Sequence, residues 1–390
     1  MIHLILIEPI AYQRTLCRTL DKRYDGAFTA WFAARDIGGT PYEPDAEGGF
    51  QSYYLGDVGY GKLFRALMAD RDALIILGGW SAPMTIRTLL FATWLRVPVF
   101  IWADHPHPRR RSWIKERLRR LSLRLMALKV KGFLACGQPT VVYLESLGIA
   151  PEQITNFPYW VDVPEHWSYP EGSNTEFETR PLRLLAAGRQ IPVKQFDIAI
   201  RALAIANNST PGCAELVFAG DGPERAKLEA LAASLDWKEA IRFTGWLRNS
   251  DVFAELERSD ALVLTSKFDA YGAVVLEAMA MGRGVLASDG VVAALDRRHD
   301  DAVFLHPAGD AGVLADQIQL LARDRELLRR ASIAARAVAE KWRPARAAAI
   351  LDDLLIKTDR GKRLLKNRSV ETGINSPLRP TGEARLTLEG

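Results

Sequence analysis

Cysteine is scarce in this 390-residue chain: Cys17, Cys136 and Cys213 lie far apart, in no CxxC spacing. That argues against a disulfide framework or a thiolate zinc site and fits a reducing compartment. Long uncharged apolar runs are also missing. The longest apolar region, residues 85–103, is broken by Arg87, Arg96 and Pro98, whereas a membrane span takes about 20 largely uncharged residues. The start, MIHLILIEPI, has neither the basic opening nor the small-residue cleavage site of a signal peptide and reads as a buried strand. A cytoplasmic location is expected. The glycine-rich turn GDGPE at 220–224 is not GxGxxG, which disfavours a dehydrogenase. Metal-ligand patterns are weak: His105 and His107 stand two apart in a loop, and Asp70-Arg71-Asp72 precedes its strand instead of following it. No metal site is expected, and no nucleic-acid readout module is visible.

What is present is an alternation of short β-rich runs and helical spacing. Apolar residues make up 48% and charged residues 25%, ordinary for a globular chain whose length suits two domains. Strand candidates in the first half are Ile2–Ile7, Ala27–Phe32, Ala73–Leu77, Val99–Trp102 and Gly132–Ala135. A stretch rich in Pro, Gly, Ser, Asn and acids interrupts the pattern before LRLLAAG, ELVFAGDG, IRFTGW, ALVLTS, GVLASD and AVFLHP restart it. Runs of this kind joined by helices imply parallel sheets covered on both faces. The expected organisation is an α/β first domain at 1–165, a linker at 166–181, a second doubly wound domain at 182–343, a helix at 344–356 and a basic, disordered tail at 357–390.

In open α/β sheets, ligands bind beyond the carboxyl ends of the strands. After LRLLAA come Gly188, Arg189 and Lys194: a glycine that lets backbone approach a ligand, and two cations that suit phosphate. Taken alone, these are also what a solvated loop carries. Gly220 and Gly222 form a tight turn that either lines the same crevice or is structural. After ALVLTS comes FDAYGAVVLEAMAMG, in which Asp269 and Glu277 stand eight positions apart around Gly272, Ala273 and Val274. A helix starting there offers free N–H groups to an anion. Eight helical residues span roughly 12 Å, so the two acids would meet different parts of one elongated ligand. Taken alone, they also suit a helix brace and loop solvation.

This region resembles the acid-x7-acid motif of retaining GT-B glycosyltransferases, the group 1 (family 4-like) enzymes. GRQIPVK resembles that family's diphosphate loop, and FAGDGPE, FTGWL, SKFDAYGAVVLEAMAMGRGVLASD and FLHPAGD follow in the family's order over about residues 182–322. The resemblance implies two Rossmann-like domains facing a cleft, with the C-terminal helix crossing back to the first. It implies that Arg189 and Lys194 hold the diphosphate of a UDP- or GDP-linked donor and Glu277 binds the ribose. Asp269 would approach the sugar, and N–H groups near Gly272, Ala273 and Val274 would meet sugar or phosphate. No further cofactor is then required. The family usually has Glu at the first acid; Asp269 is one methylene shorter, which leaves donor identity open. The implied activity is transfer to a glycan or lipid-linked acceptor, as in surface-polysaccharide assembly. Its rivals are an epimerase of similar fold and a silent scaffold that binds nucleotide-sugar or membrane lipid.

In the first half, His105 aligns loosely with a histidine that faces the donor sugar in that family, with His107 as competitor. Residues 109–131 carry Arg109, Arg110, Arg111, Lys115, Arg117, Arg119, Arg120, Arg124, Lys129 and Lys131 against Glu116 alone. Ile114, Leu118, Leu121, Leu125 and Leu128 form a helical stripe expected to face the core. The charge bias points to an anionic membrane surface, at the inner face of the cytoplasmic membrane, or to a lipid-diphosphate acceptor.

Overall fold

A computed structural model describes residues 1–35, 49–70, 72–80, 82–106, 113–162 and 179–371. The first sheet has seven parallel strands: β1 (Ile2–Leu6), β2 (Phe28–Phe32), β3 (Ser52–Tyr54), β4 (Leu74–Gly78), β5 (Val99–Ala103), β6 (Gly132–Ala135) and β7 (Ile154–Asn156), in the order β3-β2-β1-β4-β5-β6-β7. The second has six: β8 (Leu182–Ala187), β9 (Ala214–Ala219), β10 (Ile241–Gly245), β11 (Ala261–Leu264), β12 (Gly284–Ser288) and β13 (Val303–His306), in the order β10-β9-β8-β11-β12-β13. In each sheet the order reverses beside its first strand, giving a crevice at the carboxyl edge. The central strands are buried from end to end, which is why they read as unbroken apolar runs. The strands β3 and β7 escape a reading by apolar runs because each is three residues long and half-buried.

The helix Pro344–Ile356 crosses back onto the first domain, against the helix Ala11–Tyr24. Asp352, almost wholly buried, accepts from Arg23 (Nη2, 2.5 Å) and from the Tyr24 hydroxyl (2.8 Å). Pro344 at the helix start costs no hydrogen bond, because the first-turn N–H groups are free anyway. The described part of the expected disordered tail, 357–371, is instead largely helical, with a helix at Asp359–Glu371. Arg363 of that helix pairs with Asp72 of the first domain at 2.8 Å, so the basic tail finds acidic partners there. One buried apolar cluster joins the halves, through Phe157, Tyr159 and Trp160 to Tyr271, Val275 and Val291.

A second expectation fails. The stripe Ile114, Leu118, Leu121, Leu125 and Leu128 faces outward, with exposures of 52–78%. The helix Trp113–Ala127 buries Leu123 and Ala127 instead. Helical spacing identifies a stripe but not which side the sheet takes. His107, Arg109, Arg110, Arg111, the 163–178 part of the linker, and 372–390 lie outside the described residues, as do Arg71 and the side chain of Lys115.

Candidate active site

The loop after β8 is shaped by close backbone approaches. A Cβ on Gly220 (φ +135°) would stand 2.1 Å from the Gly188 carbonyl oxygen, and one on Gly222 2.3 Å from that of Gln190. These two glycines let the turn after β9 pack against the loop carrying Arg189. Gln190 fastens the junction. It is buried, its N–H bonds the Asp221 carbonyl at 2.8 Å, and its side-chain amide donates to Gly220 at 3.0 Å. The loop closes in a short turn, Pro192–Lys194, ending at Gln195 with φ +46°, a strained value for a non-glycine. Thr265, beyond β11, holds that turn by donating to the carbonyls of Lys194 (3.0 Å) and Gln195 (2.7 Å). Lys267 N–H bonds the Val193 carbonyl at 2.8 Å.

These contacts bring the loops after β8 and β11 together. Lys194 Nζ reaches Asp269 Oδ2 at 2.5 Å, with both side chains mostly buried. Arg189 is exposed on the same loop. Asp269 is tied to β12's exit by its N–H to Gly290 (2.9 Å) and its carbonyl from Val292 (3.3 Å). Gly272, at φ +85°, would push a Cβ to 2.7 Å from a Val291 methyl, so only glycine fits. The helix Val274–Ala280 follows, and the N–H groups of Gly272, Ala273 and Val274 have no hydrogen-bond partner among the described residues. Glu277 lies in its first turn. Desolvation, with no neighbouring charge or hydrogen bond to offset it, pushes its carboxyl up to about 7.

The first domain closes the other side. His105, after β5, lies edge-on to Tyr143 (5.7 Å between centroids) and 6.5 Å from Phe268, which directly precedes Asp269. Burial lowers its pKa while the Pro139 backbone pulls the other way, so the imidazole is neutral near pH 7. Its neighbour Asp104 accepts the Tyr159 hydroxyl at 2.7 Å. Surrounding protein and the Asp269 carboxylate raise the Asp104 pKa, against the Tyr159 bond. Sequence reasoning gave Asp104 no role. Trp80, after β4, packs toward Tyr143, with ring centroids 6.3 Å apart. Asp296, also unforeseen, crosses the interface: its carboxylate accepts the Gln138 N–H at 2.7 Å, capping the helix Gln138–Ser146. Asp70, once a metal-type candidate, binds the terminal ammonium at 2.8 Å instead. No cluster of metal-ligating side chains occurs among the described residues.

Two parallel-sheet domains, a crossing C-terminal helix and a cleft at facing strand ends constitute the GT-B architecture. Residues 171–338, a little under half of the chain, match the model described as Glycosyl transferases group 1. The chain is similar to the lipopolysaccharide core biosynthesis glycosyltransferase LpsD of Rhizobium meliloti, 32% identical over 149 residues, covering 38% of this chain and 41% of that protein. It is also similar to alpha-D-kanosaminyltransferase of Streptomyces kanamyceticus, 29% identical over 155 residues, 39% of each. These matches span less than half the length of either relative. Among solved structures, Anabaena HepE in complex with UDP superposes with a TM-score of 0.72 at 17% identity, over 92% of this chain and 100% of that one. At that identity the likeness shows the fold.

Proposed function

We propose that the chain is a retaining glycosyltransferase. It moves a sugar from a UDP- or GDP-linked donor to a hydroxyl of a lipid-linked or surface-polysaccharide precursor. The observation that carries this reading is the crevice itself. Lys194 and Asp269 are in contact beside unbonded N–H groups, a desolvated Glu277 lies in the following turn, and His105 stands opposite. A departing diphosphate is the anion these groups suit. Arg189, Lys194 and the N–H groups of Gly272, Ala273 and Val274 would stabilise it as the glycosidic bond breaks. Gly188 leaves the loop open to it. Two ribose hydroxyls donating to Glu277 would offset its desolvation.

His105 and Asp269 would flank the sugar, and no protein base is assigned; an oxygen of the departing diphosphate would take the acceptor proton. UDP and UDP-glucose complexes among the fold neighbours support a nucleotide-sugar donor, and the likeness to LpsD supports a surface-glycan acceptor. The cations supply the charge a metal would, so EDTA is expected to leave turnover intact. The basic stretch 109–131 would meet an anionic membrane, at the inner face of the cytoplasmic membrane, where such an acceptor resides. A panel of UDP- and GDP-sugars, assayed for donor consumption and product anomer, tests the reading. Turnover that Arg189→Ala reduces supports it; no turnover with any donor, or an inverted product, overturns it.

A further inference from the structure

Asp104 is a carboxylate at the carboxyl edge of the first sheet with no cation to neutralise it. It follows β5, which lies beside β4 and so one strand from the β1–β4 reversal where that sheet opens its crevice. Its side chain is exposed, yet desolvation is the leading cause of its raised pKa, so it lines a recess with protein on most sides. No ion pair engages it among the described residues.

What holds this carboxylate is a hydroxyl. Tyr159, only 7% exposed, donates to Oδ1 at 2.7 Å. Three rings fix that tyrosine: Tyr12 at 4.2 Å, Trp102 at 5.3 Å and, from the second domain, Tyr271 at 4.9 Å between centroids. The buried Cys136 thiol stands beside Asp104 as well. These partners come from β5 and from the exits of β1, β6 and β7, so the end of the sheet itself orients the carboxylate. A bond from Tyr159 needs only a neutral acceptor such as an amide. Keeping an unpaired carboxylate there costs desolvation, which a ligand offering hydrogen-bond donors would offset. A phosphate or carboxylate ligand would meet two like charges, Asp104 and Asp269, of which Asp269 alone has a lysine.

We propose that Asp104 binds the acceptor, and that the part it binds is an uncharged sugar ring with a hydroxyl donating to this carboxylate. Tyr159 is then a positioning residue. The inference rests on the glycosyltransferase reading and deepens it: any phosphate of a lipid-linked acceptor lies away from the reacting ring. The bonds made and broken stay those of the transfer already proposed, and Asp104 takes no proton.

Saturation-transfer NMR of methyl α-glucoside, methyl α-galactoside and methyl α-mannoside with the UDP-loaded full chain tests binding without turnover. At least one glycoside should bind wild type, and glycerol 3-phosphate should not. D104N should weaken that glycoside at least about tenfold, the worth of a charged hydrogen bond, while UDP affinity should not fall. During donor turnover, D104N should raise the KM for the glycoside more than it changes kcat. Y159F should move KM the same way by less, whereas a merely structural tyrosine would lower stability and leave KM alone. Circular dichroism checks folding; should D104N not fold, D104E, which keeps the charge but displaces it, should weaken the glycoside too. No glycoside binding by wild type, preference for glycerol 3-phosphate, or unchanged glycoside affinity in the folded variants overturns the inference. Glycoside binding that D104N abolishes, without consumption of any donor, would sink the glycosyltransferase reading and keep this site. Transfer that D104N leaves unchanged would do the reverse.

Discussion

Replacing Glu277 by Gln should stabilise the empty protein and weaken it as a nucleotide binder. Desolvation raises this carboxyl from an ordinary 4.5 to about 7. A folded pKa above the unfolded one means that the folded state holds the proton more tightly. The stability cost of ionisation is therefore absent below about pH 4.5, grows through the interval to 7, and is full above it. A gap of about 2.5 units at 1.36 kcal/mol each makes that cost roughly 3 kcal/mol at pH 8. E277Q carries no charge, so at pH 8 it should gain up to about 3 kcal/mol and at pH 4.5 almost nothing. Urea unfolding across this range reads the difference. UDP and GDP should meanwhile bind at least tenfold more weakly, because an amide replaces the charged acceptor of two ribose hydroxyls, each such bond being worth about 1.5–3 kcal/mol. Wild-type affinity should rise as pH climbs through 7, with a proton released on binding. Calorimetry in buffers of different ionisation enthalpy detects that proton. Equal stability of the two proteins at pH 8, or unchanged nucleotide affinity in E277Q, would refute the reasoning.

Lys194→Ala should lower kcat about 100-fold or more, as removal of a charge stabiliser from a transition state does. In a double-mutant cycle with Asp269→Asn, the loss should be non-additive, because the two side chains touch. Gly220→Ala should destabilise the second domain by more than about 3 kcal/mol, since its methyl meets the Gly188 carbonyl and its φ is positive; solubility and unfolding midpoint report it. Asp296→Ala should cost about 1 kcal/mol for the lost cap and more for the buried Arg297 beside it. Faster amide exchange at Gln138 would mark the cause. Dialysis against EDTA should leave donor turnover within twofold, and a larger loss would count against cation-only stabilisation.

Each strand of the second sheet corresponds to a largely apolar run visible in the sequence; β11 and β12 are buried from end to end and unbroken, while β8, β9 and the edge strand β10 carry Arg183, Glu215 and Arg242 at part-exposed positions. The order of the loops was equally open to reading, since each polar set follows its strand. What sequence could not express is which loops meet. Lys194 and Asp269 are 75 residues apart, and their contact depends on Thr265 and Gln195, neither of which has a pattern of its own. Asp296 escaped for the same reason: it acts across the domain junction. The outward stripe on Trp113–Ala127 shows a limit of another kind. Periodicity gave the stripe correctly, but the helix buries its narrower Leu123–Ala127 side against the sheet.

The Lys194–Asp269 contact also says how the empty cleft balances its charge. Asp269 and Asp104 are near enough for each other's charge to matter, and Asp269 contributes to the raised pKa of Asp104. Without Lys194 beside it, Asp269 would repel an incoming diphosphate as well as its neighbour. With it, the pair presents almost no net charge, yet Lys194 is held where a phosphate oxygen could replace the carboxylate as its partner. The exchange would free Asp269 to accept sugar hydroxyls while Lys194 keeps an anion, so the ion pair is conserved in number and changes only in identity. If that holds, Asp269→Asn should bind UDP at least as tightly as wild type, because no carboxylate competes for Lys194, but should transfer sugar more slowly. Tighter nucleotide binding with slower turnover would separate the two duties of this residue, and weaker UDP binding would show that Asp269 does not compete for Lys194.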